Sequence, residues 1–170
     1  MLPWSERPIE VATLLNPAFC AVLLYDAVKS YESEQNHGMA YPLIFLILPL
    51  VLHKETRGAL PSSRAKQVTL YQWAEETKLL HQNFVRRTQY LVLYTREGLI
   101  FSIKHGFVKM LNDQGEAGYL LPTDKPFIQK PSWDKKSESA LCREKAQLLG
   151  KWFANTGSAT RVFEIFGIKP

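Results

Sequence analysis

The 170 residues include only two cysteines, Cys20 and Cys142, and neither stands in a CxxC or Cys/His spacing. The pattern argues against a disulfide framework and a zinc site, and both thiols read as small core residues inside apolar helical patterns. Long apolar runs are also missing. The longest, YPLIFLILPLVL at 41–52, has twelve residues, short of the about 18–20 that a bilayer-spanning helix needs. The opening Met1-Leu2-Pro3-Trp4 runs into Ser5-Glu6-Arg7 with no charged head before an apolar core, so no secretory signal is expected and the expected compartment is the cytoplasm. Patterns of the GxxxxGK[ST] or GxGxxG kind are absent, as is an Asp cluster of the calcium or magnesium type. His37, His53, His81 and His105 share no local signature with either cysteine, so no nucleophile and base are paired. The expectation is a chain without catalytic residues, metal ligands or cofactor. A hydrolase using Cys20 or His53 is the weakest reading. A net charge of +5 permits contact with a polyanion without requiring it.

What the chain does have is apolar content, 46% of its residues, enough for a sizeable core at this length. The stretch 41–52 is its centre. Pro42 suits the first turn of a helix, whereas Pro49 removes a mid-helix hydrogen bond and predicts a kink or an end near Leu48. A pair of short buried strands is the alternative, which two prolines disfavour. Thr56-Arg57 falls on a second short helix closed by Gly58 and the Leu60-Pro61 step, with His53 at a helix end and Arg57 partly buried and paired. Ahead of this centre a first helix is expected at 5–15. Asn16-Pro17 then pairs a favoured cap with a favoured first helical residue and announces a helix over 17–34. Its apolar residues Phe19, Val22, Leu23, Leu24, Val28 and Tyr31 cover more than one face, so it packs on two sides. Gln35-Asn36-His37-Gly38 is a turn cluster.

The polar stretch 61–68 is the one internal boundary, separating an N-terminal helical half, 1–60, from a second half, 69–122. The second half reads as helices at 69–76, 78–93 and 95–105, the last weakened by Gly98. A hairpin of 107–111 and 118–121 follows, around the turn Asn112-Asp113-Gln114-Gly115. Three helices and a hairpin are the order of a winged helix. A Pro- and Lys-containing linker, 123–136, leads to C-terminal helices within 137–170, at 137–155 and 159–166. The expected class is α+β, predominantly helical, with winged-helix-like units and a C-terminal helical extension.

Two residue sets are candidates for binding. Arg86, Arg87, Arg96, Lys104 and Lys109 concentrate positive charge near the expected recognition helix and wing, where they would meet DNA phosphates; the alternative is a solvated face. Leu141, Leu148, Leu149, Trp152 and Phe153 form an apolar stripe on the 137–155 helix, which either docks a partner or packs back on its own domain.

The series Arg7-Pro8-x-Glu10-x-Ala12-x-Leu14-x-Asn16-Pro17-Ala18-Phe19, then Gly38-Met39-x-Tyr41-Pro42-Leu43, then Leu48-Pro49-Leu50-Val51-Leu52-His53-x-x-Thr56-Arg57-x-x-Leu60-Pro61 carries a resemblance. Tyr94-Thr95-Arg96-Glu97, Gly150-Lys151-Trp152-Phe153-Ala154 and Phe166-Gly167-Ile168-Lys169-Pro170 extend it over nearly the whole chain. Together these motifs resemble the middle component of bacterial three-component ABC ATPase systems. The resemblance implies a small non-enzymatic adaptor that bridges an SMC-like ABC ATPase and an effector, as in Lamassu-type anti-phage or anti-plasmid defence, with DNA met through the complex. Comparable small subunits of condensin-like machines are winged-helix proteins. It supplies no catalytic residue. The competing reading is a free-standing winged-helix DNA-binding transcriptional regulator, which would be a soluble dimer with sequence preference.

Overall fold

The Asn16 side chain accepts the Ala18 N–H at 2.8 Å, Pro17 takes the first helical position, and α2 (Pro17–Gln35) follows. The computed structural model describes residues 6–62, 68–78, 83–112, 118–124 and 137–168. Helix α1 (Ile9–Leu14) precedes α2 and is shorter than the expected 5–15. Helix α2 ends at Asn36, whose φ of 57° is the left-handed conformation that Asn tolerates. Every residue from Cys20 to Val28 is buried, Asp26 included. A helix buried all round needs neighbours on several sides. Helix α6 (Phe84–Lys104) and helix α7 (Glu138–Thr156) are its main ones.

The apolar stretch 41–52 is helical and broken, as its prolines require, but the break falls earlier than Leu48. Strand β1 (Met39–Ala40) leads into a 3₁₀ turn, Tyr41–Leu46, and then into α3 (Ile47–Val51). Pro49 is the third residue of α3, where the missing N–H has no intrahelical partner to lose. Helix α4 (Lys54–Ala59) follows, and Gly58 lies inside it; the helix closes at Leu60. Helix α5 (Leu70–Glu76) starts with a capping box in which the Thr69 side chain accepts the Gln72 N–H and the Gln72 side chain accepts the Thr69 N–H.

The helices expected at 78–93 and 95–105 are one helix, α6. No breaker separates Tyr94 from Thr95, and Gly98, read as a weak point, is a packing device. A Cβ there would lie 2.8 Å from the Cys20 Cβ, so its absence lets α6 lie close against α2. The second half therefore has α5 and α6 ahead of its hairpin, among the described residues, and not the three helices of the expected order. The hairpin is β2 (Val108–Leu111) and β3 (Tyr119–Pro122). Strand β1 adds to it, giving an antiparallel sheet of order β1-β3-β2 in which Leu120 pairs with both Met39 and Met110. Met39, Val108 and Leu120 turn inward.

Ser137 accepts the Ala140 N–H at 3.2 Å to begin α7, and Ser158 accepts the Arg161 N–H at 3.3 Å to begin α8 (Ala159–Ile165). One cluster of buried apolar residues runs from Leu15 to Phe166 and draws on the N-terminal helices, α6, the sheet, α7 and α8. The class is α+β and predominantly helical. Of the expected features, most of the boundary 61–68, the start of the 78–93 helix, the tip of the hairpin turn and nearly all of the linker 123–136 lie outside the described residues.

Candidate partner interface

Helix α6 faces two ways. Phe84, Leu91, Thr95, Gly98, Leu99 and Ser102 fall within one side of a 3.6-residue period and are buried. The opposite side carries Tyr90, Leu93, Ile100 and Ile103 into solvent, with Leu93 51% and Ile100 64% exposed. Met110 and Leu111 of β2 are exposed as well. Single exposed aliphatics need no explanation, but several of them along one helix make a candidate binding surface.

The predicted phosphate-binding residues divide over this geometry. Arg86 and Lys104 are 18 residues apart, five full turns, so they lie on one line of the outward face about 27 Å apart. Arg96 sits about 80° round the axis from that line and is also exposed, as is Lys109 in β2. Arg87 is different. It is half-buried, its Nη1 donates to His53 Nε2 at 3.1 Å, and its guanidinium stands 5.8 Å from the centre of the Phe84 ring. Burial lowers its pKa. Four of the five cations are therefore available to a partner on an exposed surface, and the fifth clasps α6 to the residues beside α4.

His53 is the other half of that clasp. Its Nδ1 lies 2.8 Å from Thr56 Oγ1 and accepts the Thr56 N–H at 3.3 Å, capping the start of α4, and its Nε2 faces the Arg87 guanidinium. Burial first, and the Arg87 charge second, lower the His53 pKa from 6.5. Arg57, buried as expected, donates from Nη1 to the carbonyls of Val51 at 2.8 Å and Leu52 at 3.2 Å, and from Nη2 to the Glu138 carboxylate. It closes the C-terminal end of α3 and ties it to the start of α7, relieving carbonyls that a helix end leaves unpartnered. Between α3 and α6 an apolar cleft of about 400 Å³ opens beside Arg86, Arg87 and His53.

The apolar stripe of α7 is turned inward. Leu148, Leu149, Trp152 and Phe153 are buried in the chain's own core, and of the five expected docking residues only Leu141 is exposed. The cause is the fit of α7 on α2. Gly150 lies against the Ala27 backbone, and the Asp26 carboxylate accepts from Arg143 Nε at 2.6 Å and Nη2 at 3.1 Å. Trp152 meets Trp73 of α5 with ring centres 5.8 Å apart. The cysteines are buried too, and burial pushes the Cys20 thiol up to about 12 and also raises Cys142. A thiol so protonated is a poor nucleophile. Among the described residues no group of three His, Cys, Asp or Glu is placed to hold a metal ion, and no helix is long and apolar enough to cross a membrane. His81 lies outside the described residues.

A family model described as ABC-three component (ABC-3C) system Middle Component 3 matches residues 4–170. The chain belongs to the Middle Component 3 family. No curated protein and no solved structure matches it. In this Middle Component 3 chain the motif residues behind the resemblance hold the fold together. Arg7 makes two hydrogen bonds to the Glu97 carboxylate, at 2.8 and 2.6 Å, and stands 5.9 Å from the Tyr94 ring centre. Thr56 and Arg57 serve the clasp, Gly150 the α2–α7 contact, and the Pro61 carbonyl accepts from the buried Lys145 at 2.8 Å. The sequence reading missed the Asp26–Arg143 pair, for which one signal existed: a lone carboxylate amid the apolar run around Cys20 to Val28 must find a cation. The outward aliphatics of α6 were split between two expected helices and so never added up to one face.

Proposed function

We propose that this chain is a non-catalytic adaptor that bridges an SMC-like ABC ATPase and an effector in a defence complex of the Lamassu type, acting against phage or plasmids. Membership of a middle-component family supports the adaptor role. The observation that carries the reading is the outward face of α6, where Leu93, Ile100 and Ile103 stand exposed on a helix whose other side is core. Apolar side chains at the centre of a patch ringed by Arg86, Arg96 and Lys104 match the make-up of a protein interface, with its apolar middle and polar rim.

A second reading concerns DNA. The same cations, spread over about 27 Å of helix, would meet phosphates of DNA held by the assembled complex, adding salt-dependent affinity without reading bases. One experiment separates the two. A tagged copy is purified from its native operon as the wild type, as Leu93→Glu with Ile100→Glu, and as Arg96→Glu with Lys104→Glu. The adaptor reading expects the first variant to lose ATPase and effector while the isolated subunit melts as before. The DNA reading expects the second variant to keep both partners and to weaken DNA binding about equally on all sequences. Full recovery of both partners by the Leu93/Ile100 variant refutes the α6 face as the bridge.

A further inference from the structure

The cleft between α3 and α6 has a chemistry the adaptor reading does not use. Pro49, Leu52, Leu91 and Tyr90 make it largely apolar, and at about 400 Å³ it falls within the roughly 300–1,000 Å³ of ligand pockets. Its charged lining is of one sign. Arg86 and Arg87 both border it, and no carboxylate does among the described residues. Arg87 is committed to His53 and Thr56, whereas Arg86 is exposed on the outward face of α6, one turn from Tyr90. Glu55 acts electrostatically on both Arg87 and His53 without lining the cleft. The cleft is continuous with the exposed α6 face through Tyr90, and the exposed Leu14 stands at its α1 side.

We propose that this cleft binds a partner polypeptide through an apolar side chain seated against Pro49, Leu52 and Leu91 and a neighbouring carboxylate held by Arg86. The charge selects the occupant. An apolar anchor alone gains from leaving water, but a basic segment meets two guanidinium groups, and duplex DNA keeps its bases stacked inside the helix and offers the cleft only phosphate and sugar. An acidic segment with one large apolar residue satisfies both halves. Interfaces concentrate their energy in such anchors, and the exposed Leu14 and Tyr90 at the rim of the cleft supply the surrounding contact. The proposal rests on the adaptor reading only in taking the α6 side as the side that meets a partner.

The test uses the full chain alone, labelled with ¹⁵N, and follows backbone amide signals during titration with acetyl-Glu-Glu-Phe-Leu-Glu-Glu-amide. The counterpart peptide with Gln in place of every Glu, and a DNA duplex, are titrated in parallel. The expected result is that signals of Leu52, His53 and residues 83–91 move with the acidic peptide, and that the Gln peptide binds at least about threefold more weakly, the scale of one exposed ion pair. Arg86→Glu should erase that preference. Leu14→Trp, which crowds the mouth of the cleft, should weaken both peptides, with a melting curve to confirm that each variant is folded. Equal binding of the two peptides, movement confined to other residues, no binding at millimolar concentration, or the same signals moved by the duplex in preference would each overturn the proposal. Partner recovery from the operon is a separate readout: peptide binding with no ATPase recovered would retain the cleft and discard the adaptor, and the reverse would do the opposite.

Discussion

Replacing Gly150 by Ala pits two opposing effects against each other, and the structure decides which wins. Ala is the better helix former by about 1 kcal/mol, so an exposed mid-helix glycine gains from the change. At Gly150 the new Cβ would lie 2.2 Å from the Ala27 carbonyl oxygen and 3.0 and 3.1 Å from the Ala27 C and Cα atoms. All three are backbone of α2 and cannot swing aside. Carbon contacts settle near 3.5 Å, so α7 must back away from α2 by about 1 Å, and a gap of that size forfeits a quarter to a half of the dispersion energy at each loosened contact. Overpacking of this kind costs about 1–3 kcal/mol and sometimes more. Ala146, Leu149, Phe153 and Ala154 all lie buried on the same helix, which puts the cost at the upper end. After the propensity gain, the net loss is about 2 kcal/mol, and at about 2–4 °C per kcal/mol for a chain of this size the melting temperature should fall by about 4–8 °C. The built-in control is Gly58→Ala in α4, where an added Cβ meets nothing within 4 Å. That variant should melt about 2–4 °C higher from propensity alone. Circular dichroism melting of both variants checks the argument. A Gly150→Ala protein that melts at or above the parent would show that the α2–α7 contact is not a tight seam.

Four further outcomes follow from named contacts. Asp26→Ala removes a buried carboxylate from Arg143 and should cost about 2–4 kcal/mol in urea unfolding; adding Arg143→Ala should return part of it, with a coupling of about 1–3 kcal/mol. His53 has a folded pKa lowered below 6.5, so its contribution to stability is present above that value and is lost as pH falls through the folded value; His53→Asn, which keeps a capping side chain, should flatten the fall in melting temperature between pH 7 and 5. Thr95 Oγ1 is buried with no hydrogen-bond partner among the described residues, so Thr95→Val should hold or raise stability, by up to about 1 kcal/mol. Trp152→Ala should cost about 3–5 kcal/mol of stability, because the ring is core and packs on Trp73; a stable variant with weakened partner recovery would restore the docking role first expected of it.

How much was legible depends on the range of the interaction that decides each feature. The start of α2 was readable because Asn16 and Pro17 act within a few residues of themselves, and the start of α8 was readable from Ser158 for the same reason. The break in the 41–52 stretch followed from Pro49, although its position did not, since a proline costs nothing in the first turn of whatever helix happens to contain it. The candidate site was legible only in its parts. Arg86, Arg96 and Lys104 were picked out by charge, but whether they formed a face depended on α6 being one helix, and Gly98 looked like a break until Cys20 was seen against it.

The sequence by itself determined the class of the fold, the caps at Asn16 and Ser158, the packed fate of two cysteines in apolar helical settings, and the motifs that mark a middle component. These rest on composition and on hydrogen bonds or periodicity spanning a few residues. The tertiary structure alone decided which apolar stripe is core and which is surface. The α7 stripe was the more conspicuous of the two, yet it is the one buried, because Gly150 and the Asp26–Arg143 pair draw α7 onto α2 across 117 positions of sequence. The Arg7–Glu97 and Arg57–Glu138 pairs span 90 and 81 positions in the same way. Amphipathic helices state only that one face must leave water. What covers that face is fixed by the fit of backbones brought together from distant segments, and on α6 that fit left Leu93, Ile100 and Ile103 on the outside.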